Sequence, residues 1–145
     1  MGHSAGAQIT GLLVFDSKWL SKAIRESIRC VIALEGIFDI PALADSHPNF
    51  GPWFLDLAFP DVGTLRRDAS PKPVSAHDRN LQYQIVYSLE DEYKMEAQTD
   101  SYMLKLMKAG IDACCNKDIK GSHDDILKDP CLLDFIEECL SDMKL

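Results

Sequence analysis

The sequence predicts an α/β fold: a mostly parallel sheet with flanking helices and one long excursion between two strands. Three observations carry this. Segments with helical spacing alternate with short strand-like runs, the pattern of parallel strands joined by right-handed crossovers. Residues 30–34, CVIAL, are apolar throughout, as a strand buried on both faces must be. A serine, an aspartate and a histidine fall at strand–helix boundaries, where open parallel sheets gather their sites.

The 145 residues make one domain-sized unit, and 46% of them are hydrophobic, enough for a packed core. The net charge of −8 argues against nucleic acid as a partner. Arg66-Arg67 and the lysines of residues 117–120 read as solvated loop charges. No apolar run is long enough to span a bilayer, so no membrane partner is expected. The five cysteines, Cys30, Cys114, Cys115, Cys131 and Cys139, include no C-x-x-C pair and no histidine at ligand spacing. They read as buried, reduced thiols of a cytoplasmic protein, with no metal and no cofactor implied.

Ala5, Ile9, Leu12 and Leu13 recur at helical spacing and predict a first helix ending near Phe15-Asp16. Residues 18–26 predict a second, with Trp19, Leu20, Ala23 and Ile24 apolar. After residues 30–34 comes an excursion over 38–80. It holds six of the seven prolines together with Phe38, Phe50, Trp53, Phe54 and Phe59, too many aromatics for a flexible linker. Residues 82–89 read as the next strand. Residues 93–109 read as a helix whose Met95, Tyr102, Met103, Leu106 and Met107 form a core face, stopped by Gly110. Residues 111–116 form a short last strand. Asp129 is the expected N-cap, with Pro130 at N1, of a final helix lined by Leu132, Leu133, Phe135, Ile136, Cys139 and Leu140.

Gly2-His3-Ser4-Ala5-Gly6 is a G-x-S-x-G run opening the first helix. With one residue upstream, no strand is expected before it. A serine hydroxyl needs a base, histidine titrates in the right range, and the histidine needs a buried carboxylate to fix its tautomer. The order Ser4, Asp91, His123 supplies nucleophile, acid and base at three boundaries. Ser4 is expected to be strained, and Gly2 and Gly6 to remove Cβ atoms that would clash. The Ala5 N–H is the expected oxyanion donor. Glu90 and Glu92 are rivals of Asp91. His3 is expected to point away from the nucleophile, and His47 and His77 to lie at the surface or contact substrate.

With these residues placed, the chain resembles the C-terminal half of an α/β-hydrolase, and more narrowly kynurenine formamidase and its esterase-like relatives. The resemblance rests on GHSAGAQ at 2–8, LEGIFDIPAL at 34–43, AFPD at 58–61, DASP at 68–71, SLEDE at 88–92 and GSHDDIL at 121–127. It implies Ser4 as nucleophile, Asp91 as acid, His123 as base, and hydrolysis of N-formyl-L-kynurenine to L-kynurenine and formate in tryptophan catabolism. A carboxylesterase on small acyl esters is the alternative of the same fold. The aromatic excursion either lines an aryl-substrate pocket or packs the cap.

Such enzymes carry upstream strands and an H-G-G segment that completes the oxyanion hole; this sequence has neither. The expectation is therefore a truncated domain that begins at its nucleophile, with activity in doubt. Residues 30–34 are expected to form an exposed apolar edge. That edge suits a complementing N-terminal segment or a homodimer. The reading from a different class is a non-catalytic fragment or pseudoenzyme acting through a partner chain.

Overall fold

The computed structural model describes residues 1–61, 63–74 and 80–142; His77 lies outside them. Four strands, β1 (Gly2–His3), β2 (Cys30–Leu34), β3 (Gln82–Val86) and β4 (Asp112–Asn116), form one sheet in the order β1-β2-β3-β4. Every pairing is parallel, with Ala33 between Gly2 and Ile85, and Ile85 beside Cys115. Helices α1 (Ala5–Phe15) and α2 (Lys22–Ser27) join β1 to β2, and α6 (Glu96–Lys108) joins β3 to β4. The excursion joins β2 to β3 through α3 (Ile40–Ser46), a π-type turn (Gly51–Leu55), α4 (Asp56–Ala58) and α5 (Thr64–Asp68). A 3₁₀ turn (Asp125–Lys128) and α7 (Pro130–Asp142) close the described chain.

The pleat of β2 and β3 divides the core. Val31, Ala33, Tyr83 and Ile85 face one way, under Ala7, Val14 and Phe15 of α1 and Tyr102 and Leu106 of α6. Ile32, Leu34 and Val86 face the other, under Ile126, Leu132 and Cys139. Each valine, leucine, isoleucine or phenylalanine among them, fully buried, stabilises the fold by about 1.5–3 kcal/mol. A third cluster joins Ile37, Ile40, Leu43 and Leu55 of the excursion to Tyr87 and Met95.

Several expectations change. A strand does precede Ser4: Gly2 and His3 need only the free edge of β2 to form two ladder positions, and the Ser4 N–H extends the ladder to Leu34 O at 2.8 Å. β2 is therefore only partly an edge. Residues 30–32 have no neighbour on the β1 side among the described residues, but Val31–Leu34 are sealed by helices on both faces. α2 starts at Lys22, capped by Ser21, and buries nothing, so Trp19 and Ile24 are exposed. β3 stops at Val86 and α6 starts at Glu96, because residues 88–95 turn to carry Asp91 inward. Met107, Leu133 and Leu140 point to solvent, as do Cys114 on the β4 edge and Cys131 on α7.

The excursion is docked. The Gln98 Oε1 accepts the Phe38 and Asp39 N–H groups at 2.9 and 3.1 Å. At its return, Gln8 Nε2 donates to Ala69 O at 2.6 Å, and Ser70 Oγ accepts the Ile40 N–H at 3.0 Å. A Cβ on Gly11 would sit 2.8 Å from Pro71, so Ala69-Ser70-Pro71 is the seam between excursion and α1. Arg66 is buried rather than solvated, and its Nη2 donates to Asp56 Oδ1 at 2.5 Å. Asp56→Ala leaves that guanidinium unpaired. Because Asp56 itself is half exposed, we expect a loss of about 1–2 kcal/mol in urea unfolding.

Candidate active site

Ser4 sits between the end of β1 and the start of α1, with φ 53° and ψ −119°. This left-handed backbone costs a non-glycine residue on the order of 1–3 kcal/mol and persists only where surroundings enforce it. Here β1 is clamped to Leu34 on one side, and Ser4 O accepts the Ala7 and Gln8 N–H groups at 3.0 and 3.3 Å on the other. The Ala5 and Gly6 N–H groups take no hydrogen bond among the described residues, and Ala5 is exposed. The start of α1 thus presents two free donors and the positive end of its dipole beside the serine. The Ser4 hydroxyl makes no hydrogen bond among the described residues. Of the two glycines, Gly2 is needed for close approach, whereas a Cβ on Gly6 would meet nothing within 4 Å.

Asp91 and His123 are brought together. Asp91 is fully buried in the turn after β3, and His123 is buried in the turn before the 3₁₀ segment. Asp91 Oδ1 lies 3.4 Å from His123 Nδ1 and accepts the Tyr93 N–H at 2.9 Å. Burial works against the Asp91 charge, but His123 and the Tyr93 N–H outweigh it and hold the carboxyl below its ordinary range. Glu90 is exposed, and Glu92 uses Oε2 to accept the His123 backbone N–H at 2.8 Å. Of the three acids, only Asp91 approaches the imidazole. His3 turns toward the His123 loop: its Nε2 donates to His123 O at 2.7 Å, and the rings lie 4.8 Å apart. That bond ties β1, and with it Ser4, to the histidine-bearing turn.

Glu35 had no signal in the sequence beyond following an apolar strand. It is fully buried at the end of β2, with φ 45°, and its Oε1 accepts the Ser88 N–H at 2.7 Å. One oxygen of Glu35, one of Asp91 and a nitrogen of His123 all lie within 4.8 Å of one another. Burial, with Asp91 nearby, pushes the Glu35 carboxyl from 4.5 up to about 8. A raised folded-state value means that stability is fully present below pH ~4.5 and is lost as pH rises toward ~8. Asp91 acts oppositely, losing its contribution only in strong acid. Urea titrations of Glu35→Gln should therefore show a flatter stability profile across that window than the parent.

Among the described residues, two groups of side chains could ligate a cation: Glu35, Asp91 and His123, and His3, His123 and Asp124. Both draw on His123, and the first takes the same atoms an acid–base pair needs.

The aromatic excursion reaches this site through Tyr93. Its ring meets His123 edge-on at 4.7 Å and Phe50 at 5.2 Å, and Phe50 contacts Trp53, Phe54 and His47. Phe38 is instead core, stacked on Tyr102 at 4.2 Å. A separate groove of about 760 Å³ runs along α1 and the turn after it, from Gln8 to Trp19, against Phe59 and Leu65, and includes none of Ser4, Asp91 and His123.

No helix among the described residues is long and apolar enough to cross a membrane. No protein-family model matches the chain, and no curated protein matches it significantly. Among solved structures, the uncomplexed acylaminoacyl peptidase of Pyrococcus horikoshii aligns over 94% of this chain with a TM-score of 0.66 at 17% identity. The chain spans 23% of that protein's length. Its four-stranded parallel sheet and flanking helices form a partial α/β-hydrolase-like fold.

Proposed function

We propose that the chain carries the nucleophile, acid and base of a serine hydrolase of the kynurenine formamidase type. The observation that supports this most is the buried Asp91–His123 contact at 3.4 Å, on the turn that His3, next to the strained Ser4, hydrogen-bonds. In this reading Ser4 Oγ attacks the formyl carbon of N-formyl-L-kynurenine and its proton passes to His123. The Ala5 N–H stabilises the oxyanion. His123 returns the proton to the departing amine, leaving Ser4 formylated. Water, deprotonated by His123, then releases formate and frees the serine. The aromatic wall from Tyr93 to Phe50 supports an aryl substrate over a small acyl ester. Five cysteines outside any disulfide suit a cytoplasmic setting.

The test is formamide hydrolysis, with covalent labelling by a fluorophosphonate probe as a second readout. Turnover and labelling that both vanish in Ser4→Ala support the reading. A folded chain that neither turns over substrate nor labels at Ser4 sinks it.

A second reading, association through a complementing segment or a second copy, is favoured by the unpaired side of residues 30–32, the open space at Gly6 and the exposed Ile9. Light scattering should then show a concentration-dependent dimer, or a complex with an added strand-bearing segment. Gly6→Ala should weaken either one without destabilising the isolated chain.

A further inference from the structure

We propose that Glu35 is a positioning residue for the Asp91–His123 pair: a neutral acid, held at Oε1 by the Ser88 N–H, that donates a hydrogen bond from Oε2 to Asp91 Oδ2. Its consequence for catalysis rests on the hydrolase reading; the bond itself does not. Among the described residues Glu35 Oε2 and Asp91 Oδ2 are both buried without a hydrogen-bond partner, as is His123 Nδ1, whose 3.4 Å approach is to Asp91 Oδ1. Two carboxylates this close, out of water, cannot both stay ionised. Asp91 has the Tyr93 N–H and the His123 ring to hold its charge, whereas Glu35 has one N–H. The proton therefore belongs on Glu35, where it satisfies both orphaned oxygens at once.

The backbone supports this assignment. Glu35 takes a left-handed conformation although it is not glycine, and its N–H donates to Val86 O at 2.9 Å. Strain of this kind is retained where it aims a side chain. The titratable groups facing Glu35 are Asp91, Glu92 and Tyr87 from the β3 side, Cys115 from β4, and His123. Only His123 among them can carry positive charge. Lys117, nearby in sequence to Cys115, is held by Glu96 and Asp100 at 2.9 and 3.2 Å.

The experiment is carbon-detected NMR titration of the Glu and Asp carboxyls in the parent chain, Glu35→Gln and Glu35→Ala. The parent should show Glu35 protonated at pH 7. Glu35→Gln keeps a donor for Asp91 and should leave its titration nearly unmoved. Glu35→Ala removes the donor and should raise the Asp91 midpoint by about one pH unit or more. An ionised Glu35 at pH 7 overturns the proposal, as does identical Asp91 titration in all three proteins. If Glu35→Ala fails to fold, the parent titration and Glu35→Gln decide. In Glu35→Gln, a His123 midpoint lowered by about a unit would reveal that Glu35 had been a charge. Fluorophosphonate labelling of Ser4, run in parallel, separates the two readings. Absence of labelling with the stated titrations overturns the hydrolase reading alone.

Discussion

Gly2→Ala should be the most destabilising single-methyl change in the chain, costing about 3–5 kcal/mol in urea unfolding. The added Cβ would fall inside the Gly6 carbonyl and 2.7 Å from Ala7 N. Neither is a side chain that can swing aside; both are backbone of the first turn of α1. Relief would require separating β1 from α1. That motion breaks the Gly2–Ala33 pairing on one side and releases the Ser4 backbone strain on the other. The loss should therefore come with a loss of fluorophosphonate labelling even in the fraction still folded. Gly6→Ala is the control: with nothing within 4 Å of the new Cβ, it should change stability by less than about 1 kcal/mol, in either direction. Comparable losses at both glycines would mean that β1 and α1 do not meet as described.

What the sequence disclosed depended on where the signal lies. β2 was legible because every residue of CVIAL is apolar, and α1 because its small and apolar residues recur at helical spacing. β1 was not, since a two-residue strand has no periodicity; it exists only because β2 offers ladder partners to Gly2 and His3. α2 and α6 start later than the sequence pattern implies for a related reason. Trp19 and Tyr93 look like helix-face residues, yet one is exposed in a loop and the other turns toward His123. Within the candidate site, Ser4, Asp91 and His123 could be picked out because their residue types and boundaries are the ones nucleophilic chemistry needs. Glu35 could not. A single acid after an apolar strand has no pattern, and its place beside Asp91 comes from the parallel register of β2 and β3. That register also puts the Ser88 N–H within reach of the Glu35 side chain.

Asp91→Asn should slow serine labelling and formamide turnover by about 10³- to 10⁴-fold while leaving the chain folded. The amide still offers an oxygen to the Tyr93 N–H, so the turn keeps its 2.9 Å anchor. What changes is the partner of His123 Nδ1. A carboxylate 3.4 Å away favours a proton on Nδ1, which leaves Nε2 free to take the serine proton. Held by the Tyr93 N–H, the amide presents the same oxygen to Nδ1, but without the charge that favours a proton there. Nor can it offset the positive charge that forms on the imidazole when the proton arrives. Glu92→Gln is the informative comparison, because the Glu92 side chain's hydrogen bond among the described residues is to the His123 backbone N–H, at 2.8 Å, not to the ring. A carboxamide oxygen can accept that bond as well, so the loss should stay within about tenfold. Exposed Glu90 should give no effect. Equal losses at Asp91 and Glu92 would assign the acid's role to holding the His123 turn rather than to the ring. A large loss at Asp91 alone, with the His123 turn intact by nitrogen NMR, would identify it as the group whose charge prepares His123 to act on Ser4.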